Sequence, residues 1–226
     1  MPLAVDTDAL DAQGHVVLPR LLKAAECRAL VAGYADATRF RSHIVMARYN
    51  FGRGEYQYFN YPLPPTVQAL RETLYAALAP TANAWMARMR KPARYPKTLQ
   101  AYLVHCHRAG QKRPTPLMLK YGRDDYNCLH QDLYGEAVFP LQVTVLLSQP
   151  EDDFTGGELI LTEQRPRMQS RATVIALKRG DAVAFAVNER PVAGTRGDYR
   201  VKMRHGVSTV TRGERYALGL IFHDAA

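Results

Sequence analysis

Apolar and polar positions change period several times along the chain, and each change predicts an element. Residues 14–19 (Gly-His-Val-Val-Leu-Pro) read as a short strand, and residues 21–34 place Leu22, Cys27, Leu30, Val31 and Tyr34 at helical spacing. Between Arg39 and Tyr61, arginines interleave with aromatic residues. That composition suits either aromatic-rich edge strands or a surface for single-stranded nucleic acid and flipped bases. Residues 67–90 carry a strong helical pattern that Pro80 should divide into two helices or bend sharply. A further helix is expected over 97–109. Its His105-Cys106-His107 cluster is poor metal geometry, because positions i and i+2 face nearly opposite ways on a helix.

Beyond residue 116 the period becomes two. Residues 117–121 alternate as a strand and end at the turn 122–125, and the strand after the turn carries His130 and Asp132. Residues 141–147 place Gln142 and Thr144 on one face. Gly156-Gly157 leads tightly into a strand over 158–162, while residues 164–171 and 190–204 are dominated by arginines and read as exposed loops.

Composition adds the class. A chain of 226 residues, 47% apolar and 23% charged, can bury a core within one globular domain. The apolar runs fall short of the ~18 residues a spanning helix requires. The first nine residues carry acids and lack a basic-then-apolar leader pattern, so a cytoplasmic protein is expected, with no membrane partner. Cys27, Cys106 and Cys128 show no paired spacing; reduced thiols are expected, with Cys128 packed in the interior rather than ligating. The net charge of +9 is segregated. Residues 88–123 hold ten Lys or Arg and no acid, and residues 165–204 hold ten against three acids. Such segregation favours an anionic partner, nucleic acid above all, over a merely solvated surface.

The candidate chemistry lies in Asn127-Cys128-Leu129-His130-Gln131-Asp132 and the distant Arg204-His205-Gly206-Val207, with Arg215 ten residues beyond the second histidine. On a strand, His130 and Asp132 share a face, and a distal His205 completes two imidazoles and one carboxylate, the facial set that holds non-heme Fe(II) with open positions. Around it, in order, stand Phe154-Thr155-Gly156-Gly157-Glu158-Leu159, Arg179-Gly180-Asp181 running to Phe185, His205-Gly206-Val207 and Gly213-Glu214-Arg215-Tyr216-Ala217-Leu218. This series resembles the core of the Fe(II)/2-oxoglutarate-dependent oxygenases, especially their prolyl-hydroxylase-like branch, with AlkB-type nucleic-acid repair enzymes as a more distant likeness; it covers roughly residues 117–224.

The resemblance implies an α+β, mainly β fold: a double-stranded β-helix, or jelly-roll barrel of cupin type, over 117–224, with the region 1–116 supplying an opening strand and helices packed on one sheet. It implies Fe(II) on His130, Asp132 and His205, 2-oxoglutarate as co-substrate with its distal carboxylate on Arg215 and with Tyr121 and Gln142 beside it, and molecular oxygen. Arg165, Arg167, Arg171, Arg190 and Arg196 are the candidate substrate contacts. Oxidative dealkylation of alkylated nucleic acid is the expected reaction. A prolyl or other peptidyl hydroxylase is the alternative that motif order favours, and a non-enzymatic cupin-like binding module is a third.

Overall fold

In the computed structural model, which describes residues 3–92 and 94–226, the chain opens with short capped elements. The Asp6 carboxylate caps α1 (Thr7–Gln13) by accepting from the Ala9 amide at 2.9 Å. β1 (His15–Leu18) and α2 (Ala24–Ala32) follow where the apolar spacing predicts them. The arginine- and aromatic-rich segment forms β2 (Phe40–Val45), β3 (Gly52–Arg53) and β4 (Glu55–Phe59).

α3 (Pro65–Arg88) runs unbroken through Pro80, which corrects the expected division into two helices. Pro80 is exposed, whereas Leu74, Leu78, Ala82 and Trp85 are buried. Packing on both sides of the proline therefore outweighs the hydrogen bond it forfeits. α4 (Leu99–Arg108) starts at Thr98, whose hydroxyl accepts from the Ala101 amide. His107 points to the Asp224 carboxylate at 2.9 Å, not to a cluster with His105 and Cys106.

The remaining elements are strands: β5 (Leu117–Tyr121), β6 (Tyr126–His130), β7 (Leu141–Leu146), β8 (Phe154–Gly156), β9 (Leu159–Gln164) and β10 (Arg171–Ile175). Then come β11 (Ala182–Ala186), β12 (Glu189–Gly194), β13 (Gly197–Val207), β14 (Val210–Gly213) and β15 (Arg215–Leu220). Residues 190–204 are thus not a loop but most of the β12–β13 hairpin. Along β13, Val201, Met203 and His205 are buried while Arg200, Lys202 and Arg204 are exposed. A strand period is present in the sequence, masked by the basic residues Arg200, Lys202 and Arg204 at its outer positions.

Seven strands form one sheet in the order β1-β11-β7-β15-β5-β4-β2. A second sheet runs β10-β9-β13-β6-β3, with β12 paired to β13, and β14 and β8 pair separately. All pairings between the named strands are antiparallel. This is the expected double-stranded β-helix, built as two separately hydrogen-bonded sheets rather than a closed barrel. The region before β5 supplies strands as well as helices: β1 extends the large sheet at one end, and β4 and β2 at the other. Val143, Val145 and Leu218 of that sheet belong to one apolar cluster with Leu74, Leu78 and Trp85 of α3, so its outer face is covered. Gln142 and Thr144, one position out of phase, face a cavity between the sheets. Among the described residues, no helix is long and apolar enough to cross a membrane.

Candidate metal and cosubstrate site

β6 and β13 are neighbours, and their register sets His130 directly opposite His205. Gly206 permits this approach: a Cβ there would stand 2.7 Å from the Asn127 carbonyl oxygen. The two rings are consequently 4.2 Å apart, centroid to centroid. Asp132 lies two residues past His130, just beyond the end of β6. Its Oδ2 is 3.3 Å from His205 Nε2 and its Oδ1 is 3.6 Å from His130 Nε2. One ligand atom from each of the three residues lies within 4.8 Å of the others.

Protonation favours metal binding. His130 Nδ1 donates to the Cys128 carbonyl at 2.8 Å, which turns the lone pair of Nε2 toward Asp132. Burial, reinforced by His205, lowers the His130 pKa and keeps the ring neutral near pH 7. Burial alone would raise the pKa of Asp132, but hydrogen bonding and charge from His205, the His130 ring and the Tyr134 hydroxyl hold it well below the usual carboxylate range. Two imidazoles and an ionised carboxylate facing an open cavity fit Fe(II).

Arg215 lies across the same cavity, opposite Tyr121 in the β15–β5 register, with its guanidinium carbon 5.5 Å from the tyrosine ring centroid. It is buried, its Nε has no partner, and among the described residues it forms no ion pair. Gly157 leaves room for it, since a Cβ there would come within 2.9 Å of Arg215 Cδ. Burial lowers the pKa of this guanidinium, yet arginine stays charged, so an interior cation faces the cavity with no ion pair, Glu158 and Tyr121 acting on it only at longer range. An unpaired interior charge costs several kcal/mol. A ligand carboxylate, matched in plane and charge, removes that cost. The cavity of about 330 Å³ contains both ends of the fit for 2-oxoglutarate: the triad at one wall, and Tyr121 and Arg215 at another. Gln142 lines it too, with its Nε2 3.1 Å from His205 Nε2. The Tyr121 phenol is pushed up to about 12 by burial, accepts a hydrogen bond from Asn127 Nδ2 at 3.2 Å, and remains protonated.

Three cavity residues have roles that the sequence did not assign, although Asn127 opens the His130 motif and Tyr58 lies in the aromatic segment. The Tyr134 hydroxyl donates to Asp132 Oδ1 at 2.7 Å and accepts from the Tyr58 hydroxyl at 3.1 Å; Asn127 orients Tyr121. Tyr134 stands in the segment between β6 and β7, where no periodicity flags a direction. The i+2 spacing from Asp132 was its one signal.

None of the five candidate substrate-contact arginines lines the cavity itself. Arg190 is buried, donates to the Asp11 and Ala12 carbonyls and pairs with Glu163. It ties β12 to β9 and the end of α1, which corrects its expected surface role. Arg165 also pairs with Glu163, at 2.9 Å. Arg167, Arg171 and Arg196 are exposed, in the β9–β10 turn, at the start of β10 and at the β12–β13 tip. Cys128 is exposed and borders the cavity, so its expected interior packing is also corrected.

Comparison with solved structures agrees with this architecture. A Pseudomonas putida prolyl-4-hydroxylase matches with a TM-score of 0.54 and 16% identity, covering 97% of each chain. A Trichoplax adhaerens prolyl hydroxylase, solved with a hypoxia-inducible-factor peptide, gives 0.56 and 16%, covering 96% of this chain and 87% of that one. A Burkholderia pseudomallei oxidoreductase of the 2OG-Fe(II) oxygenase family gives 0.51 and 16%, covering 97% and 91%. These likenesses share the fold. Much nearer in sequence are uncharacterized proteins from two Mycobacterium tuberculosis strains, 53% identical over 168 residues, which span 74% of this chain and 72% of theirs. Residues 54–225 match the model of the Oxygenase-NA family, described as an oxygenase catalysing oxidative methylation of damaged DNA. With three quarters of its length inside that match, and a His-Asp-His triad and a buried arginine lining one cavity, the chain belongs to the Oxygenase-NA family of oxygenases.

Proposed function

We propose that this oxygenase removes alkyl groups from damaged nucleic-acid bases by oxidising them, using Fe(II) and 2-oxoglutarate. The observation that carries the reading is the family match over 54–225, whose description names damaged DNA, on a chain that retains every group of the site. The segregated basic charge supports it.

His130, Asp132 and His205 would hold the metal, and Arg215 would take the far carboxylate of 2-oxoglutarate. Iron and 2-oxoglutarate, when bound, supply the oxidant for an unactivated C–H bond. The protein's own residues then orient and shield. Tyr134 fixes the plane of the Asp132 carboxylate. Leu117, Leu119, Ala217 and Ile221 give the cavity apolar walls that limit water. His130 is the most exposed of the three residues that would hold the metal. Hydroxylation of an N-methyl group there yields a hydroxymethyl that leaves as formaldehyde and restores the N–H.

The test is succinate formation with methylated oligonucleotides, methyl-free oligonucleotides and proline peptides, with His130→Ala as the blank. Stimulation by methylated oligonucleotides, with formaldehyde in step with succinate, is expected. Stimulation by a peptide alone would replace the reading with a peptidyl hydroxylase. Binding to DNA should also fall steeply as salt rises, through counterion release.

A further inference from the structure

The aromatic segment divides into two populations. Phe40 and Phe59 stack at 4.9 Å against the core and Tyr58 is buried. Tyr49 and Phe51 instead stack on each other at 5.6 Å and 21°, with 54% and 47% of their surfaces exposed. They sit on the turn that joins β2 to β3. Backbone bonds fasten that turn in place: Phe51 N donates to Met46 O, and Cys128 N donates to Phe51 O at 2.9 Å. The second bond ties it to β6, two residues from His130. Asn50, in the left-handed conformation at φ 58°, lies between the rings, and Asn50 and Phe51 line the mouth of the cavity.

Around the ring pair the surface is both apolar and cationic. Tyr126 and Leu129 are exposed on β6, Tyr126 opposite Arg53 in the β3–β6 register and Leu129 lining the same cavity as Phe51. Arg48 and Arg53 flank the pair, exposed, and among the described residues neither forms an ion pair. A cluster of large apolar side chains kept in water beside a deep cavity has a binding use rather than a packing one. The ligand residues Asp132 and His205 are only 7% and 6% exposed, so a base must leave its own stack to reach them.

We propose that the Tyr49–Phe51 pair is a stacking platform for single-stranded DNA. It receives the base next to the one inserted into the cavity, while Arg48 and Arg53 take the flanking phosphates. Two rings already stacked present a flat face at little cost in side-chain freedom, and stacking accepts any base, as suits an enzyme whose target is a lesion in any sequence. The inference rests on the nucleic-acid reading above.

The test measures affinity and turnover on a single-stranded methylated DNA oligonucleotide carrying 2-aminopurine beside the lesion. Wild type should quench the 2-aminopurine on binding. The double variant Tyr49→Ala/Phe51→Ala should lose the quench and raise Kd and KM about tenfold, with an unchanged salt slope. Arg48→Gln/Arg53→Gln should keep the quench and flatten the slope of log affinity against log salt by about 1.4, roughly 0.7 for each of two phosphates. Circular dichroism and Tm should match wild type in both, which controls for folding. If wild type oxidises the oligonucleotide and the ring variant matches it in quench, Kd and KM, the platform is overturned and the nucleic-acid reading stands. If wild type oxidises a peptide and no oligonucleotide, the nucleic-acid reading falls and takes the platform with it.

Discussion

Asp132 has two oxygens, and the protein treats them differently. Oδ1 accepts from Tyr134, itself hydrogen-bonded by Tyr58, while Oδ2 lies nearer to His205. Tyr134 thereby prevents the carboxylate from rotating and keeps one oxygen free for the metal. Tyr134→Phe should weaken metal affinity about tenfold, the usual effect of losing an outer partner of a ligand. Titration with Co(II), followed by its visible absorption, measures this apart from turnover. Across the cavity, Arg215→Lys keeps the charge and loses the planar fork. It should raise the KM for 2-oxoglutarate by roughly 10- to 100-fold, the equivalent of about 1.5–3 kcal/mol for a charged hydrogen bond, with a smaller effect on kcat. The triad and Arg215 were legible because strand period and motif order constrain them. Arg190 was misread for the opposite reason: among many arginines, a list of residues does not show which one is buried, and that depended on Glu163 and the end of α1 meeting it from far along the chain.

At the scale of elements, α3 shows packing overriding a local rule. Pro80 lacks the amide that would donate to Ala76, yet the helix continues because its buried side is apolar on both sides of the proline. Pro80→Ala restores the bond at an exposed position. The proline's stiffening of the unfolded chain offsets part of the gain, so a net stabilisation of about 1 kcal/mol is expected, visible as a Tm rise of a few degrees in calorimetry. The β12–β13 hairpin teaches a complementary lesson. Its cations signalled a loop, while the apolar residues between them were already at strand spacing; period was the better guide than polarity.

For the whole molecule, pH is a lever because the interior holds neutral histidines. His223 is fully buried, accepts from the Phe139 amide through Nδ1, and is pushed down to about 4, chiefly by burial. A histidine in the unfolded chain titrates near 6.5. Its contribution is therefore complete above about pH 6.5 and is lost progressively as pH falls toward 4, by up to about 3 kcal/mol. Burial lowers His15 and His130 in the same sense. Tm should fall between pH 7 and pH 4.5, and His223→Asn, which retains an acceptor, should flatten that dependence even if it starts from a lower Tm. Of the architecture at this scale, the two-layer core was expected from motif order over 117–224. The strands that extend the large sheet from the chain's first part were legible as strands, over 14–19 and within 39–61, but not which edge each would join, since edge pairing is settled by distant partners.

The strand that carries His130 is poorly anchored by its neighbours. Its ladder with β13 has a register shift between His205 and Val207, and on its other side it has only the two residues of β3. A slip by one position would turn His130 away from the cavity. A metal bridging His130 to His205 would then act as a cross-link, closing a loop of some seventy residues and locking the alignment of two strands. Hydrogen exchange reads this directly: amides of β6 should exchange faster than those of β7, and Mn(II) should slow them selectively. Loading with metal, on this view, completes the folding of the site as well as equipping it.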